Sequence, residues 1–238
     1  MIKFRCSSLG SLMTEPRSKS ETLSETCKTY LVEAFVGEQY GRYKEIGSKY
    51  LDKGNEVERL GITLYSAITK RFLVENEKQY ENDFIKGKPD VFQDGTIYEF
   101  KSSWDIFSFW KARTASGINK DYLWQVTGYM ALTGAKSARL IYCLIDTPDQ
   151  LIEDEKWRLA RKMGVIDAMH HPDYVEACKQ LDHNMKYGDI PMKDRFFQIN
   201  IERDQKAIDS LYERVGQCRE YMDATFWPER QLEESLKT

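Results

Sequence analysis

Two carboxylates and a lysine fall close together between Gly87 and Lys101, in the segment GKPDVFQDGTIYEFK: Asp90, Glu99 and Lys101. Carboxylate oxygens of this kind suit a hard divalent cation. The residues between them decide whether they meet. Val91-Phe92 and Ile97-Tyr98-Glu99-Phe100 read as short strands, and Asp94-Gly95 reads as a two-residue type I′ turn, which needs positive φ at both central positions. That turn sets the register: Gln93 faces Thr96, Phe92 faces Ile97, Val91 faces Tyr98 and Asp90 faces Glu99. Like charges facing across a ladder destabilise it, and a divalent cation would compensate. Alternation places Lys101, with Lys88, on the face of Asp90 and Glu99, and leaves Val91, Tyr98 and Phe100 for a core. Taken alone, such a charged face serves a solvated surface as well as a site.

The flanking elements must bring further groups to that face. Upstream, LDKGNEVERLGITLYSAITKRF has Val57, Leu60, Leu64, Ile68 and Phe72 at helical steps, which predicts an amphipathic helix. Glu58 lies beside this stripe, four residues after Gly54. A carboxylate near a buried face needs a partner or a cation, although a solvated Glu at the stripe edge gives the same pattern. Downstream, KDYLWQVTGYMALTG predicts a second helix with Tyr122/Leu123, Val126, Tyr129/Met130 and Thr133 along one side. Gln125 and Tyr129 are neighbours on its surface. Gly128 weakens a helix, and its lack of a side chain would permit close approach to the sheet or to DNA. Ser137–Ile145 then reads as a buried strand.

In this order, Gly54…Glu58, Pro89-Asp90…Glu99-Phe100-Lys101 and Gln125…Tyr129 resemble the motifs of the PD-(D/E)XK nuclease superfamily. The likeness is to its RecB-like branch and to the phage lambda-type (YqaJ-like) recombination exonucleases, and it covers residues 50–146. It implies an α/β (α+β) fold with a restriction-endonuclease-like core. A central mixed sheet would be flanked by helices, with extra helices on the C-terminal side. One domain over 1–238 would comprise the core at 50–146 plus a strand at 195–201, a helical insertion at 150–192 and a C-terminal helix at 203–226. The activity implied is a metal-dependent DNA exonuclease working 5′→3′ on double-stranded DNA ends in phage-type homologous recombination. Its partners would be a single-strand annealing protein and further copies of itself in a ring. Mg²⁺, with Mn²⁺ as a substitute, would be held by Asp90, Glu99, the Phe100 main-chain carbonyl and Glu58. Lys101 would hold the attacking water, and Gln125 and Tyr129 would position the scissile strand. Two rivals share the motifs. One is a restriction- or resolvase-type endonuclease. The other is a non-catalytic DNA-binding scaffold, which is expected to have lost Asp90, Glu99 or Lys101; all three are present.

Lys111, Arg113 and Lys120 follow the hairpin, interleaved with Trp104, Phe107, Phe109, Trp110, Tyr122 and Trp124. That mixture suits a DNA strand held at its phosphates and stacked at its bases. It suits equally a helix edge with buried rings and solvated lysines. Cys6-Ser7-Ser8 resembles by position the serine-containing segment that helps hold DNA in phage exonucleases, which makes Arg5 and Ser8 candidates for DNA contact. A hydroxyl capping the next helix is the alternative for Ser8.

With 238 residues, 41% hydrophobic and 31% charged, the chain suits one sizeable domain. A net charge of −3 and a pI near 5.8 argue against a protein that coats DNA indiscriminately, while leaving room for one basic face. The five cysteines form no C-x-x-C pair and read as free thiols. The iron–sulfur cluster carried by some RecB-like nucleases is therefore not expected. Nor is zinc, since His170, His171 and His183 are the only histidines and HHPDY reads as a turn before a helix at Pro172. No stretch suits a signal peptide or a membrane span, so a cytoplasmic protein without membrane contacts is expected. A helix over 22–37 ending near Gly37, a connector at 38–52, charged helices in LIEDEKWRLARKMGVID and PDYVEACKQLDHNM, and a frayed end after Pro228 complete the reading.

Overall fold

The Asp94-Gly95 turn forms as its composition dictates, with φ of 51° and 72° at the two residues. The computed structural model describes residues 2–44, 49–165 and 171–227. His170, part of the 38–52 connector and the end after Pro228 lie outside the described residues. Along the chain, β1 (Phe4–Arg5) passes through a 3₁₀ turn (Cys6–Ser8) into α1 (Leu9–Leu12) and α2 (Glu25–Tyr40). Next come α3 (Lys49–Thr69), β2 (Tyr80–Glu81), β3 (Ile85–Gly87), β4 (Val91–Gln93) and β5 (Thr96–Ser102). They are followed by α4 (Ile106–Arg113), α5 (Lys120–Thr133), β6 (Ser137–Cys143), α6 (Asp149–Met163), α7 (Pro172–Met185), β7 (Phe196–Glu202) and α8 (Gln205–Phe226).

The fold is mixed α/β with a mixed sheet, as the resemblance implies. The main sheet runs β4-β5-β6-β7, antiparallel at both outer pairs and parallel between β5 and β6. Parallel neighbours need a crossover, and α4 and α5 provide it. The hairpin has the expected register for Val91–Tyr98, Phe92–Ile97 and Gln93–Thr96. The fourth expected pair, Asp90 with Glu99, is not part of the ladder, because β4 starts at Val91. The Asp90 carboxylate instead accepts a hydrogen bond from the Phe100 amide, which separates the two like charges from direct opposition.

Helices cover β5 on both faces. Tyr98 and Phe100 pack with Val57, Leu64 and Tyr65 of α3, whereas Ile97 packs with Val126, Tyr129 and Met130 of α5. Glu99 shares the Ile97 face by alternation, so the charged face is roofed by α5 rather than open to solvent, contrary to the division of the hairpin into a chemical surface and a packed one. The apolar stripe on α3 also differs. Leu60 is 54% exposed, and Phe72 lies beyond the helix end at Thr69, where Lys70 turns with φ 56°. Tyr65 takes the buried place instead. α2 continues past Gly37 to Tyr40 and ends at Gly41, whose φ of 61° suits a left-handed cap.

A second, three-stranded sheet, β1-β3-β2, was not legible in the sequence. It seats the N-terminal turn against α5. A Cβ on Gly128 would lie 2.5 Å from Leu9 Cδ1 and 2.9 Å from Cys6 Sγ. Gly128 thus admits the N-terminal turn, not the sheet or DNA. Between β6 and β7, α6 and α7 pack on one another. Their excursion is tied at its base: Thr147 N–H donates to the Met185 carbonyl at 2.9 Å, and Tyr187 N–H donates to Asp146 Oδ1 at 2.9 Å.

α3 buries a charge that its pattern conceals. Lys53 is 1% exposed and donates to the Trp104 carbonyl at 2.9 Å, with the rings of Trp104 and Tyr187 beside it. Burial lowers its pKa from 10.5 to about 8, against the opposing pull of Asp105 and Asp146. Between those two pH values the unfolded chain holds a proton that the folded chain does not, so the cost of burying Lys53 grows as pH falls toward 8 and is constant below. Lys53→Met is therefore expected to gain most over the wild type below pH 8, with the gap closing by at most about 3 kcal/mol toward pH 10.5. Urea unfolding of both proteins across that range checks this; a gap independent of pH would refute it.

Candidate active site

The site is built where β5 passes between the middle of α3, which carries Glu58, and the face of α5 that carries Gln125 and Tyr129. Asp90 Oδ2 accepts from Phe100 N–H at 2.7 Å. Glu99 is 2% exposed, and its Oε1 accepts from Lys101 Nζ at 2.8 Å and from Gln125 Nε2 at 2.8 Å. Lys101 Nζ also donates to Gln125 Oε1 at 3.0 Å and lies 4.7 Å from the centroid of the Tyr122 ring. Gln125 Nε2 reaches the Tyr129 hydroxyl at 3.0 Å. One helical turn thus lets α5 hold both the carboxylate and the ammonium of alternate β5 residues.

Charge is concentrated here without full compensation. Burial pushes the Asp90 carboxyl well above its ordinary range, and the charges of Glu99 and Glu58 add to the push; Lys101 and the Phe100 amide oppose it. Burial likewise raises Glu58, helped by Glu99 and Glu75 and opposed by Lys88 and Lys101. For Lys101, burial works downward, but the charge and hydrogen bond of Glu99, with Asp90, outweigh it and keep the ammonium protonated. Tyr129 is raised, first by burial and then by Glu99, and remains a neutral phenol. Glu99 Oε2 is buried with no hydrogen-bond partner.

These groups line one cleft of about 860 Å³ that contains Glu58, Asp90, Glu99, Phe100, Lys101, Gln125 and Tyr129. Its lining sets three carboxylates against two lysines, Lys101 and Lys111. A phosphate entering it would meet net negative charge unless a cation came with it. The donors fit a hard divalent ion: two carboxylates around the Phe100 main chain, a third at Glu58, and an unsatisfied buried oxygen on Glu99. Among the described residues no three His, Cys, Asp or Glu side chains converge as a closed ligand group. An ion that keeps several of its waters does not need one.

The remaining candidates scatter. Lys111 lines the cleft, whereas Arg113 and Lys120 are exposed outside its lining. Lys88 is exposed and acts on Glu58 only through its charge. Arg5 and Ser8 engage the Tyr30 hydroxyl, and Ser7 is the N-terminal serine that lines the cleft. Ser8 occupies the N-cap position of α1 but makes no capping bond with its side chain. Of the rings, Phe109 is fully buried, Trp124 packs against the core, Trp104 and Tyr122 line the cleft, and Phe107 and Trp110 face solvent. Ser102, Ser103, Asn119 and Tyr142 also line it and carried no signal in the sequence. α4 was missed as well, although Asp105-x-x-Ser108 could have marked its start. The two residues form a reciprocal capping box, with Asp105 Oδ1 accepting from Ser108 N–H at 2.7 Å. The cysteines are free thiols, as expected.

No family model matches the chain, and no curated protein matches it in sequence. Solved structures do. A phage-related exonuclease from Haemophilus somnus 129PT is 28% identical, with a TM-score of 0.72, covering 94% of this chain and 95% of its own. An alkaline exonuclease from Laribacter hongkongensis is 15% identical, with a TM-score of 0.66, covering 98% of this chain and 94% of its own. The same enzyme in complex with dAMP gives 16% identity and a TM-score of 0.64 over 98% and 94%. The likeness read from the motifs is thus met in three dimensions: this chain has the fold of phage-related and alkaline exonucleases.

Proposed function

We propose that this chain is a DNA exonuclease: a hydrolase of phosphodiester bonds that uses a divalent metal ion and acts on the ends of double-stranded DNA. The observation that carries the reading is the joining of Glu99, Lys101, Gln125 and Tyr129 in one hydrogen-bonded group, with Asp90 held by the Phe100 amide, all lining one cleft. The neighbour at 28% identity, a phage-related exonuclease matched along nearly its whole length, supports the reaction class. The 5′→3′ polarity, the recombination role, the annealing partner and a ring of subunits rest on the motif resemblance. No helix among the described residues is long and apolar enough to cross a membrane.

Asp90, Glu99 and the Phe100 carbonyl, with Glu58, would hold Mg²⁺ or Mn²⁺. When bound, such an ion neutralises the phosphate and makes water a better nucleophile at neutral pH. The chain's own groups then divide the remaining work. Lys101 presents a permanent positive charge to the water and to the charge that develops on the phosphoryl oxygens. Gln125 fixes both Glu99 and Lys101, and Tyr129 fixes Gln125 through its neutral hydroxyl. Lys111, which also lines the cleft, meets the strand at a phosphate.

The test is hydrolysis of linear duplex DNA carrying a labelled 5′-phosphate, in Mg²⁺ and in EDTA, beside a closed circle. Mg²⁺-dependent release of mononucleotides from the linear DNA alone is the expected result. Cutting of the circle would replace this reading by the endonuclease. Silence on both substrates, in Mg²⁺ and Mn²⁺, would leave the binding scaffold.

A further inference from the structure

α4 presents three different faces. Phe109 points into the core, where its ring meets Phe197 at a centroid distance of 5.3 Å. Ser108, Lys111 and Ala112, at helical spacing, form a wall of the cleft, which Ala115 continues just past the helix end. Phe107 and Trp110, three residues apart and so neighbours on the helix surface, are left outside at 69% and 49% exposure. Lys111, four residues after Phe107, belongs to the cleft wall, so the ring pair begins where that wall ends. The Arg113 guanidinium lies over the Trp110 ring, 5.0 Å from its centroid. Two flat rings flanked by two cations, at the rim of a cleft that would take a phosphate chain, have a chemistry of their own.

We propose that Phe107 and Trp110 form a stacking platform for the bases of single-stranded DNA, with Lys111 and Arg113 holding the adjoining phosphates. The proposal rests on the exonuclease reading. In a duplex the faces of the bases are covered by their neighbours, and no flat ring can reach them except at an end. Once one strand is removed nucleotide by nucleotide, its complement is left unpaired at the cleft mouth with its base faces bare. Stacking on aromatic rings is tolerant of sequence because every base has a π-face. It is therefore suited to an enzyme that must accept whatever sequence it uncovers. Positive charge on both sides of the rings favours a polyanionic strand over an apolar peptide or a lipid surface.

The experiment measures equilibrium binding in EDTA, where nothing is cut, with three probes: a blunt duplex, the same duplex with a single-stranded tail, and the same tail built from abasic nucleotides. Wild-type protein is expected to bind the tailed duplex more tightly than the blunt or abasic ones by about tenfold per stacked base. Phe107→Ala with Trp110→Ala is expected to bind all three alike, and Trp110→Tyr to keep most of the preference. Both positions are exposed, so unchanged thermal unfolding is expected and is checked in each variant. The proposal is overturned if the double variant keeps the full tail preference, or if wild type binds abasic and ordinary tails equally. It is also overturned if the double variant only breaks an assembly of chains into single copies, which would make this face a contact between copies. Mg²⁺-dependent hydrolysis of the linear duplex is measured alongside. Cleavage without any tail preference sinks the platform alone, whereas neither cleavage nor binding of any probe sinks the exonuclease reading with it.

Discussion

Replacing Asp90 with Asn is expected to abolish Mg²⁺-dependent hydrolysis and, at the same time, to make the metal-free protein more stable. The activity should fall by more than about a hundredfold, since changes to groups that merely support metal ligands already reach that size. The gain in stability follows from the direction of the Asp90 shift. Burial and the charges of Glu99 and Glu58 raise its pKa above the ordinary value of 3.8. The folded state therefore binds the proton more tightly than the unfolded state does. Stability is therefore lost as pH climbs from that ordinary value toward the raised one. Asn carries no charge yet keeps an oxygen for the Phe100 amide. In EDTA at pH 7 the variant should be more stable than wild type in urea unfolding, and the difference should shrink as the pH falls toward the ordinary carboxylate range. The wild type should regain stability on adding Mg²⁺, and the variant should not. Full cleavage by the variant, or a loss of stability in EDTA, would sink the assignment.

Lys101→Met should behave in the opposite sense. The methionine keeps the stem's packing but removes the ammonium that Glu99 and Gln125 share. Without metal the variant should be less stable than wild type, because a buried carboxylate loses its counter-charge. Mg²⁺ should then stabilise it more than it stabilises wild type, since the ion takes over that neutralising role. Turnover at saturating Mg²⁺ should fall by about 10²–10³-fold, the usual cost of removing a group that stabilises charge developing in the transition state. Thermal unfolding with and without Mg²⁺, beside single-turnover cleavage, separates the two effects. If Mg²⁺ fails to stabilise Lys101→Met, the lysine is a structural prop rather than part of the reaction.

The hairpin and its motif were legible because short-range rules govern them. An Asp-Gly turn sets a register, and strand alternation then assigns Glu99 and Lys101 to one face without reference to the rest of the chain. The helix bearing Gln125 and Tyr129 was legible for the same reason. What faces them was not. The β1-β3-β2 sheet uses strands of two and three residues, too short to leave a periodic pattern. The roles of Gly128 and Ser7 depend on that sheet, so they were hidden with it. Lys53 escaped notice because a lysine in an amphipathic helix reads as solvated, and only the distant Trp104 and Tyr187 make its position a buried one. The rings of 104–124 could not be sorted from composition alone. Phe109 and Trp110 are adjacent in sequence, yet one lies in the core and the other faces water.

The tied base of the α6–α7 excursion has a practical consequence for engineering. Its ends are held together by the bonds of Thr147 to Met185 and of Tyr187 to Asp146, and its two helices pack chiefly on each other. The β6–β7 ladder keeps its own register from Ser137–Glu202 to Cys143–Phe196. The segment between behaves as a side branch spliced into a hairpin, a natural graft point where a fluorophore, an affinity tag or a shorter linker could be exchanged for native sequence while the strands that carry the acidic groups stay in place.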